Sequence, residues 1–403
     1  MTNEKKTKTK MSRREKMSRR EMLNTSLTTG GALLLGFHNL PLPGFYGGAK
    51  RDAQERQYLG LIEFVGEAVT PMETPMGAGL DGRLYTDLSA LTVDRPITPT
   101  EKFYVRTRVS EFLDYRKAWT IQVKGPRKQP IEISMAALRK TSRPAGLHLM
   151  ECSGNGRFAH FGMLSVADWA GTPVSEILES ARIERAAGRV LISGFDRYPI
   201  DSSTSIPGAS WIFTVDQLNS SKAFFATDMN GVSLTKDHGA PVRLVVPGWY
   251  GCTCIKWVNE VSLLDEDAAA TSQMKEFAAR TMQQGLPELA KDYRPAAIEQ
   301  AAMPIRVEKW VVDGKIKYHV NGIAWGGTRP VNGLEIRFNA EEDFVAVEDF
   351  SQTTNDPWSF WTHTWTPKQP GIYSIQLRVK DRSVPSRRLD AGYYVRSVQI
   401  TEI

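Results

Sequence analysis

The apolar residues of this chain change their period near Pro304, and that change limits the fold more than any other feature. Before it, short β-type runs alternate with helical stretches: Phe103-Tyr104-Val105, residues 119–123 and 190–192 against residues 135–139 and 174–178. After it come only short strands, at 305–312, 318–320, 334–338, 344–347, 372–379 and 394–400, separated by Gly, Asn and Asp turns. Strands that alternate inward and outward side chains can bury one face only by packing against a second sheet. At 403 residues the chain is also too long for one ordinary core.

The expected class is therefore α+β. A mixed α/β domain covers residues 50–264, a connector 265–300, and an immunoglobulin-like β-sandwich 301–403. The connector is rich in Ala, Gln, Glu and Lys, which favour helix, but is interrupted by Gly285 and Pro287. Residues 50–100 carry Thr70-Pro71, Thr74-Pro75, Arg95-Pro96 and Thr98-Pro99, which predict an irregular entry. Residues 1–49 have a polar, basic head with Arg19-Arg20 ahead of an apolar, Gly- and Thr-rich run over residues 27–37. That run is too short to span a bilayer comfortably. The arrangement resembles a twin-arginine export signal, which implies a periplasmic or otherwise exported protein. Gly47-Gly48-Ala49 offers small residues without a clean cleavage site, so release and anchoring both stay open.

The formal charge of +6 comes from the head. Ten of the 51 Lys and Arg and three of the 45 Asp and Glu lie in residues 1–50, leaving 41 basic and 42 acidic residues beyond. A near-neutral body shows no nucleic-acid footprint. The three cysteines, Cys152, Cys252 and Cys254, are too few for a disulfide framework. No C-x-x-C-H occurs, so no haem in this chain is expected and electrons would leave to another subunit.

Two clusters carry chemistry. The first is Glu151-Cys152-Ser153-Gly154-Asn155-Gly156-Arg157, after the apolar run 147–150. A thiol between a strand and two glycines sits where a ligand can approach the backbone. Its thiolate suits a soft metal or a nucleophilic role, and a buried structural thiol is the bland alternative. The second runs through Asp237-His238-Gly239, Arg243 and Cys254-Ile255-Lys256-Trp257. It sets an imidazole, a guanidinium and an ammonium on loops beside one strand, a donor set suited to a phosphate and a polar heterocycle.

In this order and about 85 residues apart, the clusters resemble the molybdopterin-binding fold of the sulfite oxidase family. The last part of the chain is similar to that family's dimerisation domain. The resemblance implies a molybdenum-molybdopterin cofactor with Cys152 as metal ligand. It implies cofactor contacts at Tyr104, Arg106, Arg108, Asp196, His238, Arg243, Ile255 and Lys256. It places a small inorganic oxyanion substrate against Arg106 and Arg157, with Arg329 contributed by the second domain. It further implies oxidation of sulfite or a related sulfur compound with water as oxygen source, a c-type cytochrome as acceptor, and a homodimer. A sulfane dehydrogenase subunit of a thiosulfate-oxidising complex and a molybdopterin oxidoreductase of other substrate are the enzyme alternatives. An exported β-sandwich binding protein with a vestigial cofactor domain is the non-enzyme one.

Two positions depart from the family's best-known oxidases. Arg108 stands where they have His, and the connector stretch 274–284 lacks their Tyr; Tyr293 lies further on. Cys252 and Cys254 are expected to be small buried hydrophobes. His160 could line the pocket or be structural, His319 and His363 are expected to be structural, and Trp358, Trp361 and Trp365 are expected to pack.

Overall fold

A computed structural model describes residues 56–67, 73–74, 82–107, 118–125, 129–183, 188–195, 209–281, 283–350 and 357–403. The leader expected at 1–49, Arg108 and Asp196 lie outside the described residues. Among the described residues no helix is long and apolar enough to cross a membrane.

The described residues of the first half form two five-stranded sheets and a smaller third. One is mixed, in the order Ser210–Phe213, Arg189–Gly194, Val258–Leu264, Thr120–Lys124, Ile131–Ser134, and only Val258–Leu264 with Thr120–Lys124 is parallel. Its inward residues Ile121, Val123, Val190, Ile192 and Val261 are buried, as the alternation of apolar residues predicts. The other is built on the antiparallel pair Arg143–Glu151 and Leu164–Pro173, continued by Phe224–Met229, to which Arg243–Val245 also pairs. Gly171 allows the close approach of Phe224–Met229 to Leu164–Pro173, because a Cβ there would stand 2.3 Å from the Phe225 carbonyl. The helices are short and locally capped. Ser134 accepts from the Ala137 amide ahead of Met135–Thr141, and Thr214 forms a capping box with Gln217 ahead of Val215–Ser220. A small sheet of Glu73–Thr74, Gly82–Leu84 and Val105–Thr107 brings Arg106 to the same end.

The second half contains two five-stranded antiparallel sheets. Ala301–Val312, Lys315–Trp325, Ser359–Trp365 and Asp349–Phe350 form one; Val345–Ala346, Leu334–Arg337, Gly371–Val379 and Arg396–Ile400 form the other. Trp365 of the first sheet stacks on Phe338 at 4.1 Å and meets Tyr373 of the second edge-on at 4.6 Å, so the sheets face each other. The fifth strand of each comes from the other end of the chain. Arg56–Ile62 pairs with Ala301–Val312, and Phe64–Val65 pairs with Arg396–Ile400. The expected division at residue 50 therefore needs correction: the first strands are sandwich strands, and residues 54–403 form one compact unit.

The connector is largely irregular. Among its described residues only Ser272–Glu276 is α-helical, while Met274, Ala278, Ala290, Ala296 and Ile298 are buried. Helix propensity there yields to apolar anchoring along an extended path.

Candidate active site

Cys152 is the first residue after the strand Arg143–Glu151, in the loop that turns back into Leu164–Pro173. Its amide donates to the Met163 carbonyl at 2.9 Å, and its carbonyl accepts from the Asn155 amide at 2.9 Å. The resulting turn is pinned again by Asn155 Oδ1, which accepts from the Met163 amide at 3.2 Å. The thiol is free and half-buried. A Cβ on Gly154 would lie 3.9 Å from Cys152 Sγ and 3.4 Å from Arg106 Nη1, so thiol and guanidinium share the space above that glycine. On the other side, a Cβ on Gly251 would lie 2.9 Å from the Tyr104 hydroxyl and 3.6 Å from Cys152 Cα. Burial, with Cys152 adding to it, pushes the Tyr104 phenol well above its ordinary value. Tyr104 thus keeps its proton beside the thiol.

Both clusters open into one cleft of about 1080 Å³, mouth included, lined by Tyr104, Arg106, Cys152, His238, Arg243, Ile255 and Lys256. Arg243, 3% exposed, donates to the carbonyls of His238 and Cys254, each at 3.1 Å. Burial lowers its pKa, and its close partners are the Cys254 thiol and Tyr104 phenol. Burial raises both of those, so neither supplies a negative charge. A guanidinium out of water without a counter-charge is costly unless an anionic ligand completes it. Arg243 Nε and Thr107 Oγ1, which also borders the cleft, are buried without partners. Lys256 Nζ donates to the carbonyls of Arg106 at 2.9 Å and Asp237 at 2.6 Å.

His238 borders the cleft, and both of its ring nitrogens are engaged within the protein. Its Nε2 donates to the Phe103 carbonyl at 3.1 Å and its Nδ1 accepts from the Thr235 hydroxyl at 2.8 Å. The bond to Phe103 ties it to the segment carrying Tyr104 and Arg106. Burial, then Lys256 and Arg243, lower its pKa to about 4 despite the Phe103 bond.

Two expected substrate contacts lie elsewhere. Arg157 is exposed and donates to the Val395 carbonyl at 3.0 Å. Arg329 is exposed and pairs with Asp381 at 2.9 Å and Ser383 at 2.6 Å. Neither borders the cleft. His160 faces Glu67 at 3.5 Å, and Tyr293 lines a separate small cavity with Arg189 and Trp249. On the connector side the cleft is lined by Gln273, Glu276 and Phe277. No sequence pattern marked these three, because they reach the cleft only by the connector's irregular path. Cys252 and Cys254 are buried thiols whose pKa values burial raises, in keeping with an inert role.

Among the described residues no three His, Cys, Asp or Glu side chains converge on a metal position. One thiol, two unpaired buried donors and three cations fit a metal that arrives inside an anionic organic ligand. Residues 108–272 match the family model described as "Oxidoreductase molybdopterin binding domain". The chain is 23% identical to human mitochondrial sulfite oxidase over 335 residues, which is 78% of this chain and 59% of that protein. It is 26% identical to the nitrate reductase [NADPH] of Beauveria bassiana, over 56% of this chain and 28% of that one. It thus spans about three fifths of the length of the sulfite oxidases it matches. The fold superposes on the sulfane dehydrogenase SoxCD from Paracoccus pantotrophus with a TM-score of 0.59, covering 89% of this chain and 96% of that one at 16% identity.

Residues 108–272 thus carry the molybdopterin-binding domain of an oxidoreductase, whose cofactor is molybdenum held by molybdopterin. Among such oxidoreductases the chain is similar to the sulfite oxidases.

Proposed function

We propose that this protein oxidises sulfite or a closely related inorganic sulfur compound, with water as oxygen source and electrons passed to a c-type cytochrome. When bound, the molybdenum cofactor supplies oxygen-atom and two-electron chemistry that side chains cannot perform. Cys152 would hold the metal. Arg243 and Lys256 would hold the anionic end of the pterin, and Ile255 would pack on it. Tyr104 keeps an O–H donor against the thiol, and Arg106 fixes a positive charge over Gly154.

The observation that carries the reading is the sharing of one space by Arg106 and Cys152. A fixed guanidinium there favours a small anion beside the metal position. The test is steady-state reduction of ferricyanide or ferricytochrome c: molybdenum-loaded protein with no sulfite-dependent reduction rejects sulfite as substrate. A sulfane dehydrogenase is the second reading: the connector wall of Gln273, Glu276 and Phe277 carries no Tyr, and the fold is similar to that of SoxCD. Turnover of protein-bound sulfane sulfur but not of sulfite would select it.

The same reading sends the folded protein across the membrane by the twin-arginine route; export that survives Arg19→Lys with Arg20→Lys would reject it. It also takes the second half as an immunoglobulin-like dimerisation domain, so light scattering at the mass of one chain would remove the homodimer.

A further inference from the structure

The loop that carries Cys152 is held from outside its own sheet, by the far end of the chain. Glu151, 0% exposed, accepts from Trp325 Nε1 at 2.9 Å and from the Tyr394 hydroxyl at 3.3 Å, and Arg388 stands 3.8 Å away. Asn155, which closes the turn on Cys152, has its carbonyl taken by the Tyr393 hydroxyl at 2.5 Å. Arg388 lies over the Tyr393 ring at 4.0 Å and donates to the Tyr250 hydroxyl at 3.2 Å. Cation, phenol and turn are thereby locked together across the two halves of the molecule.

Gly156 shows that the close approach is built in. Its φ of 179° is extended backbone that any residue adopts, so conformation does not require glycine there. Space does: a Cβ would stand 2.6 Å from the Tyr393 hydroxyl. The second glycine of the cysteine motif thus makes room for a tyrosine of the second half, not for a ligand.

We propose that Tyr393 and Arg388 are positioning residues for the metal-ligand loop: reaching across from the β-sandwich half, they hold the Cys152–Asn155 turn in the shape that presents the thiol to the cleft. The proposal rests on the reading of Cys152 as the metal ligand. It makes the second half part of the cofactor site without giving it a contact to the substrate.

The test compares full-length wild type, Tyr393→Phe, Gly156→Ala, the double variant and Arg388→Lys. Arg378→Ala, which breaks the Arg378–Glu335 pair on the second half's own sheet, is the control. Two readouts are taken: the rate of Cys152 alkylation by iodoacetamide in cofactor-free protein, resolved by peptide mapping, and molybdenum affinity with the Mo(V) resonance line shape in loaded protein. Tyr393→Phe and Gly156→Ala break the same contact from opposite sides. Each should change the alkylation rate several-fold, weaken metal retention about 10- to 100-fold and broaden the resonance. The double variant should do no more than either single one, and Arg388→Lys, which keeps a cation, should fall between them and wild type. The control should leave both readouts unchanged. Folded Tyr393→Phe with wild-type alkylation and metal retention overturns the proposal, and so does a control that shifts them equally. Should Gly156→Ala fail to fold, Tyr393→Phe and Arg388→Lys carry the same decision. If wild type itself retains no molybdenum, the ligand reading fails, while alkylation still decides whether the loop is held from the second half.

Discussion

Arg243 is the residue whose surroundings make least sense without a ligand. It is buried, donates only to neutral partners and keeps Nε unpaired. An anion that binds it adds stability to the folded state in proportion to the logarithm of its affinity. Loading should therefore raise Tm more in wild type than in Arg243→Met. A 10- to 100-fold loss of affinity corresponds to about 1.4–2.8 kcal/mol of lost stabilisation. Equal gains in calorimetry would show that Arg243 does not hold the cofactor. His238 makes a second prediction. Its pKa falls from 6.5 to about 4 on folding, so between those values the unfolded chain binds more protons than the folded one. The stability of cofactor-free protein should then fall as pH drops below 6.5 and level off near 4, losing about 3 kcal/mol from this group. Denaturant titrations across that window should show the slope, and His238→Gln should remove it.

At the scale of elements, the site is a hairpin loop from one sheet facing two loops beside the strand Arg243–Val245. That pairing of Cys152 with Arg243 and Lys256 was legible in the sequence, because each belongs to a short motif with its own chemistry. The connector wall was not, since Gln273, Glu276 and Phe277 have no motif and depend on a tertiary path. Arg157 was misleading for a related reason: its place in the motif is fixed, but its side chain turns to the Val395 carbonyl. The strand Ser359–Trp365 was also missed, because Trp, Thr and His alternate there and hydropathy alone shows little period. Trp361 explains that strand. It lies directly across from Gly322, where a Cβ would stand 2.1 Å from its ring. An aromatic ring seated over a glycine on the neighbouring strand stabilises the pair, and a methyl group would displace it. Gly322→Ala should cost about 1–3 kcal/mol in thermal or denaturant unfolding. An unchanged Tm would show that the ring moves aside freely.

For the whole molecule, the consequential feature is that the first and last described strands meet in the β-sandwich. Arg56–Ile62 covers the edge of Ala301–Val312, and Phe64–Val65 covers the edge of Arg396–Ile400. Ten residues near the start thus cap both sheets, and Glu67 just beyond them grips Arg396 through both carboxylate oxygens, at 2.6 and 2.9 Å. Removing them would expose two strand edges with unpaired amides and carbonyls, a template for association between chains. It would also leave Arg396, 8% exposed, without its carboxylate. A chain beginning at residue 68 should therefore be less stable than one beginning at residue 54 and should aggregate on heating, although neither lacks any residue of the cleft. Light scattering during a thermal ramp decides this; equal onset temperatures would show that the two strands are dispensable. The proposed export is constrained by the same two strands. If the leader is removed, cleavage has to fall before Arg56. Gly47-Gly48-Ala49 meets that condition and leaves both caps intact, so mass spectrometry of the exported protein should find its first residue between 48 and 55. A first residue beyond 62 would contradict this account, because the longer of the two capping strands would already be gone.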